Sequence, residues 1–264
     1  MRMCLFVFTT ALAASRLCGA EEIACPGVYG GHLQGIATDE QQNIYWSFTV
    51  AIVKTDKTGA ILKAVAAPTH QGDLTYVDGK VYVAVNLGQF NQEPGQADSW
   101  IYVYDARDLS LLSEKAVPEV VHGAGGMAFH DGRFIVVGGL PEGYNGNYAY
   151  EYDKDLNFVK QHVIQSGYTK KGIQTVCWFD GAWWFGCYED QKGLLKTDEA
   201  FNLLGRYEPN YSKGIALWIN GKCLRGESKP IEDKQHIGWA VVDMPGKVPA
   251  ETPGETGKIA APPG

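Results

Sequence analysis

Residues 74–85 read LTYVDGKVYVAV and residues 101–112 read IYVYDARDLSLL, and these two stretches hold the pattern that decides the fold. In the first stretch, two β-rich runs flank Asp78-Gly79, a dipeptide typical of a two-residue hairpin turn. In the second, a short apolar run ends at Asp105, whose carboxylate is suited to accept hydrogen bonds from the backbone of a following turn. Another apolar run follows that turn. The two stretches therefore predict four strands joined by short connections.

Both turn markers recur along the chain at nearly constant spacing. The Asp that follows the third strand recurs 49, 48, 45 and 45 positions apart, as Asp56, Asp105, Asp153, Asp198 and Asp243. The hairpin dipeptide recurs between them as Asp78-Gly79, Asp131-Gly132, Asp180-Gly181 and Asn220-Gly221, and the looser stretch 39–43 takes its place in the first repeat. This spacing is typical of propeller blades. We predict an all-β fold, a five-bladed β-propeller of four-stranded antiparallel blades.

The two ends of the repeat region complement each other. The fifth repeat ends at Asp243 without a fourth strand, and the segment 21–30 precedes the first repeat without a partner. We predict that this N-terminal segment supplies the outer strand of the last blade and closes the ring by backbone hydrogen bonds. The propeller domain then spans residues 21–244.

The segments outside the ring have a different composition. Residues 1–20 combine Arg2, a short apolar run and the small residues Cys18-Gly19-Ala20, which is the order of a signal peptide. Cleavage after Ala20 predicts a secreted or periplasmic protein; cleavage before Cys18, as in a lipoprotein, is the alternative, although Leu17 suits it poorly. Residues 245–264 are rich in Pro and Gly and predict a disordered tail. The sequence predicts no integral membrane segment.

Charge and composition exclude some partners. The chain is 45% hydrophobic and 20% charged, which is ordinary for a globular protein with a sizeable core. Its net charge is −7 and its Lys and Arg residues do not cluster, so we expect no nucleic-acid partner, because such binding needs a basic face. We expect a monomer that binds a small molecule, a peptide or a glycan.

Four cysteines remain once the predicted signal peptide is removed: Cys25, Cys177, Cys187 and Cys223. No two of them have the CxxC spacing of a zinc knuckle or a thioredoxin-type site. In an exported protein, one or two disulfides and simple buried thiols are the alternatives that remain.

The loops that lead into the inner strands of a propeller open onto one face around the central channel, here called the upper face. The five loops carry His32, His70, His122, Lys171 and Lys213, each followed closely by glycine. Three imidazoles near one axis predict a site for a divalent metal ion such as Zn, Fe, Mn or Ca. Direct contact of the histidines with substrate and a purely structural role are the alternatives.

Further side chains belong to the same loops or to those between the second and third strands. We predict substrate contacts by Gln34, Gln71, Asn86, Tyr144, Lys171, Gln174, Tyr188, Lys213 and Arg225. The candidate general bases are the carboxylates Asp73, Glu189 and Glu227. The long loops 86–99 and 138–147 are predicted lids, because loops of that length in compact domains are often functional.

One blade resembles a known family. Residues 33–36 (LQGI), residues 44–47 (IYWS) and the turn ending at Gly59 resemble the first blade of the plant-type glutamine cyclotransferases, which close N-terminal glutamine to pyroglutamate. The resemblance implies a five-bladed propeller, with Gln34 as a pocket glutamine and Lys213 as a pocket lysine. Where the family has a catalytic Glu between glycines, this chain has Gln71, which cannot shuttle the amine proton.

These observations favour a secreted small-molecule enzyme of hydrolytic type, with a His, Gln and carboxylate site at the channel mouth that holds a metal ion or the substrate directly. The alternative is a non-catalytic propeller that binds a glycan, a peptide or a protein on the same face. Glutaminyl cyclisation is the third hypothesis.

Overall fold

The computed structural model describes residues 20–189 and 191–246. These residues form β-strands joined by turns and loops, with one 3-10 turn at Ile219–Gly221. The predicted signal peptide, apart from Ala20, and the predicted tail beyond Gly246 lie outside the described residues, so both stay predictions. No helix in the described part of the chain has the length and hydrophobicity needed to cross a membrane.

The strands follow one another blade by blade. The first strand is β1 (Glu22–Gly30). Blade 1 contains β2 (Leu33–Thr38), β3 (Ile44–Phe48), β4 (Ala51–Thr55) and β5 (Ile61–Ala66). Blade 2 contains β6 (Gln71–Val77), β7 (Lys80–Asn86), β8 (Ser99–Asp105) and β9 (Leu111–Ala116). Blade 3 contains β10 (Ala124–His130), β11 (Arg133–Gly138), β12 (Asn147–Tyr152) and β13 (Phe158–Ile164).

The last two blades complete the ring. Blade 4 contains β14 (Ile173–Phe179), β15 (Ala182–Cys187), β16 (Leu194–Thr197) and β17 (Leu203–Tyr207). Blade 5 contains β18 (Ile215–Leu217), β19 (Cys223–Pro230) and β20 (Gln235–Asp243), with β1 as its fourth strand. The described residues thus form five four-stranded antiparallel sheets, which confirms the predicted five-bladed β-propeller.

Strand β1 closes the ring as predicted. It pairs antiparallel with β20, placing Glu22 opposite Val241 and Cys25 opposite Gly238, and a bulge follows Cys25. Ile23 and Cys25 point into the core of this seam, where they are 6% and 2% exposed. Backbone pairing and apolar burial therefore hold the two ends of the domain in one sheet.

The two turn markers adopt the predicted roles. Asp78 and Gly79 have φ values of 47° and 78°, the left-handed pair that a primed hairpin turn requires. The Asp56 carboxylate accepts hydrogen bonds from the backbone N–H groups of Thr58 and Ala60 at 2.8 and 3.0 Å. Asp243 differs: no strand follows it among the described residues, and one of its carboxylate oxygens accepts a bond from Arg225 Nε at 3.1 Å.

Apolar side chains fill the spaces between blades. Trp46 and Trp183 are fully buried, and Trp46 Nε1 donates to Thr55 Oγ1 at 3.0 Å. The four cysteines of the described residues are free thiols, of which only Cys177 is partly exposed. Burial raises the pKa of Cys25, Cys187 and Cys223 to about 12, so these thiols stay protonated and unreactive at neutral pH.

Candidate functional site

The upper face carries two neighbouring cavities. The first, here called the upper cavity, has a volume of about 390 Å³ and is lined by His32, Gln34, His70, Gly72, Asn86, Gly88, Phe90, Asn91, Gln92, Ala124, Gly125, Lys171, Gln174 and Tyr188. The second, the lysine cavity, has a volume of about 480 Å³ and is lined by Lys170, Lys171, Tyr188, Glu189, Asn210, Ser212, Lys213, Gly226 and Glu227. Because Lys171 and Tyr188 line both, the cavities adjoin.

Two of the predicted histidines meet at the side chain of Gln34. The Gln34 amide nitrogen lies 2.9 Å from His70 Nε2 and 3.4 Å from His32 Nε2. An amide nitrogen only donates, so both imidazole nitrogens present a lone pair to it. His32 Nδ1 donates to the Leu33 carbonyl oxygen at 2.9 Å, which fixes the tautomer whose Nε2 is unprotonated.

Both imidazoles of this pair are neutral near pH 7. Burial is the main cause that lowers the pKa of His32, and His236, Lys213 and Lys171 lower it further by charge repulsion. Burial also lowers the pKa of His70, with a smaller repulsion from His32. A neutral imidazole can accept a proton or ligate a metal ion through its unprotonated nitrogen once the Gln34 N–H turns away from that nitrogen.

His122 does not join the pair. It is 2% exposed, its Nδ1 donates to the Gln92 carbonyl oxygen at 2.8 Å, and its ring packs edge-on against Tyr144 with centroids 4.9 Å apart. Among residues 20–189 and 191–246, no three His, Cys, Asp or Glu side chains are grouped so as to hold a metal ion. The described residues therefore do not fit a three-histidine metal centre. The metal site stays a prediction, and we derive no reaction step from it.

Amide side chains give the upper cavity its polar lining. Asn86 is anchored on both sides, since its amide nitrogen donates to the Gly88 carbonyl and its oxygen accepts from the Asp98 backbone, each at 3.0 Å. Gln174 Nε2 donates to the Lys171 carbonyl at 2.7 Å. These bonds hold the two amides in fixed orientations along the cavity wall. An amide can hydrogen-bond to the hydroxyl and carbonyl groups of a ligand.

The lysine cavity is a charged compartment. Lys213 Nζ lies 3.2 Å from Glu227 Oε2, and Arg225 bonds the other Glu227 oxygen. Glu189 accepts a bond from the Lys170 backbone N–H at 2.7 Å. Lys171 Nζ lies 5.7 Å from the centre of the Tyr188 ring, at the boundary with the upper cavity. Among the described residues, three lysines and two carboxylates line this cavity, and both carboxylates are bonded.

Five predicted site residues line neither cavity. Gln71 is fully buried, donates to the Pro68 carbonyl at 2.6 Å and accepts from the Tyr104 hydroxyl at 3.4 Å. Asp73 is also fully buried, with one oxygen accepting from the Val176 backbone N–H at 3.0 Å and the other without a partner. The remaining three are His122, Tyr144 and Arg225.

The long loop 86–99 supplies part of the lining of the upper cavity. Phe90 lies so close to Gly123 that a Cβ there would be 2.6 Å from its ring, and Asn91 bonds the His122 carbonyl and the Leu140 backbone at 2.9 and 2.8 Å. Tyr144 of the second long loop donates to Glu93 at 2.9 Å. Sequence reasoning missed Asn91 and Gln92 as lining residues, although their position in the predicted lid was a usable signal.

Fold and site define a five-bladed β-propeller with a polar, partly cationic pocket at one end of its channel. No family model matches the chain, and no curated protein shows significant sequence similarity to it. The glutamine cyclotransferase resemblance is therefore not shown by these comparisons.

Several solved structures are similar to this chain at low identity. A gluconolactonase from Xanthomonas campestris is 13% identical with a TM-score of 0.49, over 88% of this chain and 93% of that one. A protein of unknown function from Bacteroides caccae is 13% identical with a TM-score of 0.46, over 81% and 80% of the two chains. The computationally designed Ika4 protein is 13% identical with a TM-score of 0.40, over 64% and 93%.

Proposed function

We propose that this protein is an exported enzyme that hydrolyses a small carboxylic ester in the upper cavity, with His32 as general base. The observation that carries the proposal is the contact of two neutral imidazoles with one amide in a polar pocket. The tautomer of His32 is fixed by the Leu33 carbonyl, so its Nε2 is the nitrogen that can take a proton. This arrangement fits general-base catalysis without a covalent intermediate.

The reaction follows from these positions. When substrate binds, the Gln34 N–H that faces His32 Nε2 at 3.4 Å turns to the ester carbonyl oxygen, which frees the His32 lone pair. A water oxygen then attacks the ester carbonyl carbon while His32 Nε2 accepts the water proton, and the same Gln34 N–H stabilises the oxyanion that develops. When the tetrahedral intermediate collapses, the bond from carbon to the alcohol oxygen breaks. The imidazolium then returns its proton to that leaving oxygen. His70 is a positioning residue, because it accepts a hydrogen bond from Gln34 at 2.9 Å.

The lining of the two cavities suggests the substrate class. The side-chain amides of Gln34, Asn86 and Gln174 fit a compound with several hydroxyl or carbonyl groups. Lys171 also lines the lysine cavity, where the described residues include three lysines and two carboxylates, and this favours a substrate that also carries an anionic group. The substrate would therefore be a hydroxylated ester with a carboxylate or phosphate group.

Of the predicted bases, the carboxylates are the weaker candidates. Glu227 is held between Lys213 and Arg225, Glu189 accepts a backbone bond, and Asp73 lies outside both cavities. Because no candidate carboxylate is free to act as a base, these contacts also favour a second candidate function, a site that binds a small anionic molecule or a peptide without turning it over. Glutaminyl cyclisation ranks third, because Gln71 is buried where the resembling family places its acid.

A turnover assay separates these functions. The full chain is tested against small esters with and without an anionic group, and against a peptide with N-terminal glutamine, while ligand binding is followed in parallel by calorimetry. Ester hydrolysis that is lost in His32→Ala but kept in the matched control His162→Gln supports the proposal, because His162 bonds Glu151 in blade 3, away from both cavities. Saturable binding without turnover would favour the binding function, and pyroglutamate formation the cyclase.

A charge variant tests the substrate class separately. Lys171→Gln keeps a polar side chain, one atom shorter, and removes its charge. We expect KM for the anionic ester to rise about tenfold while kcat/KM for the neutral ester stays unchanged, as loss of one charge-assisted contact requires. An equal loss for both esters would contradict the anionic class without contradicting hydrolysis.

A further inference from the structure

A third cavity opens at the other end of the channel. It has a volume of about 440 Å³ and is lined by the last residues of all five inner strands, among them Thr38, Tyr76, Phe129, Trp178 and Leu217. Because these strands end at the hairpin turns, we call it the hairpin-face cavity. It shares no lining residue with the upper cavity or the lysine cavity. It is therefore a separate site that the proposed hydrolysis does not use.

Aromatic rings form much of its wall. Tyr76, Phe129, Trp178 and Trp218 all line the cavity, and all but Trp218 are partly exposed. One face of Trp178 stacks on His130 with ring centroids 4.0 Å apart, and Tyr76 stacks on Tyr45 at 5.8 Å. These contacts hold the rings in place before any ligand binds. Burial lowers the pKa of His130, so this neighbour adds no positive charge at neutral pH.

The charged groups of the cavity are all acidic. Asp39 and Glu40 line its rim, and its lining residues include no Lys, Arg or His. The Cys177 thiol is the remaining ionisable group besides Tyr76, and burial raises its pKa, so it stays neutral. Aromatic faces and carboxylates both attract a cation, whereas an anion would meet only repulsion.

The acceptor positions of the Asp39 carboxylate are already in use. The Asp39 carboxylate accepts bonds from the backbone N–H groups of Gln41 and Asn43 at 3.0 and 2.8 Å, and from the Asn43 amide and the Tyr45 hydroxyl at 2.8 and 2.9 Å. Glu40 is bonded to the Tyr76 hydroxyl. At Asp39 a primary ammonium would find no free acceptor for its N–H groups, whereas a quaternary ammonium donates no hydrogen bond and needs only the negative charge.

We propose that the hairpin-face cavity binds an organic cation of the quaternary ammonium class. The ring faces of Tyr76, Phe129 and Trp178 contact its methyl groups, and the carboxylates of Asp39 and Glu40 supply the negative potential. A volume of about 440 Å³ admits a head group of this kind together with a short chain. A metal ion is not the expected occupant, because no group of three protein ligands exists in the described residues.

The test compares choline with its uncharged carbon isostere, 3,3-dimethylbutanol, on the full-length protein. Binding is followed by calorimetry and by tryptophan fluorescence, to which Trp178 and Trp218 contribute. We expect choline to bind about tenfold more tightly than the isostere, the size expected for a partly desolvated cation–π site. Equal affinity of the two probes, or no saturable binding at about 10 mM choline, would overturn the proposal.

Two variants locate the site. Glu40→Gln lies on the surface and leaves the core intact, and we expect it to weaken choline binding several-fold without changing binding of the isostere. Phe129→Leu should abolish the preference for choline over the isostere. Circular dichroism checks that the Phe129→Leu variant folds. If that variant misfolds, Glu40→Gln alone tests the site. His32→Ala is the control at the opposite mouth. Choline binding that is lost in His32→Ala and kept in Phe129→Leu would place the cation in the upper cavity and contradict the proposal.

Discussion

Gly35 and Asp73 meet inside the channel so closely that a Cβ on Gly35 would overlap the Asp73 carboxylate. On the other side, a Cβ on Gly126 would lie 3.1 Å from Asp73 Cβ. Two glycines on β2 and β10 therefore make room for one acidic side chain from β6, whose second oxygen bonds the Val176 backbone of β14. Four of the five inner strands therefore meet at this carboxyl group.

Adding one methyl group at this position should destabilise the ring. Gly35→Ala overlaps a packed group, so we expect the free energy of unfolding to fall by about 3 kcal/mol, the upper end for overpacking. Urea denaturation measures the change. Adding Asp73→Ala should restore only a small part of the loss, because it removes the overlapping carboxylate oxygen but leaves the Cα and Cβ atoms of residue 73, which the new methyl group also overlaps. Gly79→Ala is the control, since nothing lies within 4 Å of its Cβ position and only its positive φ of 78° opposes the change. Equal losses in both single variants would contradict the overlap.

Asp73 should make stability depend on pH. Burial raises its pKa well above the ordinary value of 3.8, against a smaller opposing effect of the hydrogen bond from the Val176 backbone N–H. Between these two pKa values the folded state holds a proton that the unfolded state has released. Stability therefore falls as pH rises from about 4, by about 1.4 kcal/mol per pH unit at most for one group. Cys177, the other ionisable side chain that interacts with Asp73, stays a neutral thiol over this range.

The neutral variant Asp73→Asn should not show this decline. We expect it to be more stable than the parent at pH 7 and similar to it near pH 4, when urea denaturation is repeated across the range. The difference between the two curves isolates this one group, because every other titrating residue is unchanged. Parallel curves would show that Asp73 titrates normally in the folded protein.

The proposed base predicts a shifted pH profile for ester hydrolysis. A general base must be neutral, and burial lowers the pKa of His32 below its ordinary value of 6.5. Activity should therefore persist below pH 6.5 and fall only once His32 is protonated. His32→Ala should lower kcat by about 10²- to 10⁴-fold, the usual contribution of a general base. An acidic limb at or above pH 6.5, or one retained in His32→Ala, would assign the base elsewhere.

Metal uptake should distinguish the histidine pair from the third histidine. His32 and His70 direct Nε2 atoms toward Gln34, whereas His122 is bonded to the Gln92 carbonyl. If the purified protein takes up Zn²⁺, we expect uptake to be lost in His70→Ala and kept in His122→Ala, as measured by mass spectrometry. Equal loss of Zn²⁺ uptake in both variants would support the three-histidine site that the sequence predicted. No uptake by the parent protein would reject a metal role for these residues.

Local sequence signals were sufficient for the fold because each blade is built from them. The Asp turns and the Asp-Gly hairpins depend on interactions within a few residues, so their recurrence predicted the number of blades and the strand order. The closing role of the segment 21–30 followed from counting strands. All three features are confirmed.

The site was less predictable because it depends on contacts between blades. Spacing placed the three histidines in equivalent loops, but the loop 86–99 holds His122 apart through the Gln92 carbonyl. Asp73 follows the His70 loop closely in sequence, yet the close approach of Gly35 and Gly126 buries it. Such outcomes rest on packing between distant segments, which a repeat pattern does not record.

The pairing of β1 with β20 has a consequence for how the chain is made. Among the described strands, β1 is synthesised first but finds its partner last, because Glu22 pairs with Val241 and almost the whole domain lies between them in sequence. During biosynthesis the first four blades can assemble from neighbouring segments, but β1 and the edge of the last blade stay unpaired until β20 exists. A nascent or truncated chain that stops short of β20 therefore exposes two open strand edges, which are the surfaces that recruit other chains into aggregates.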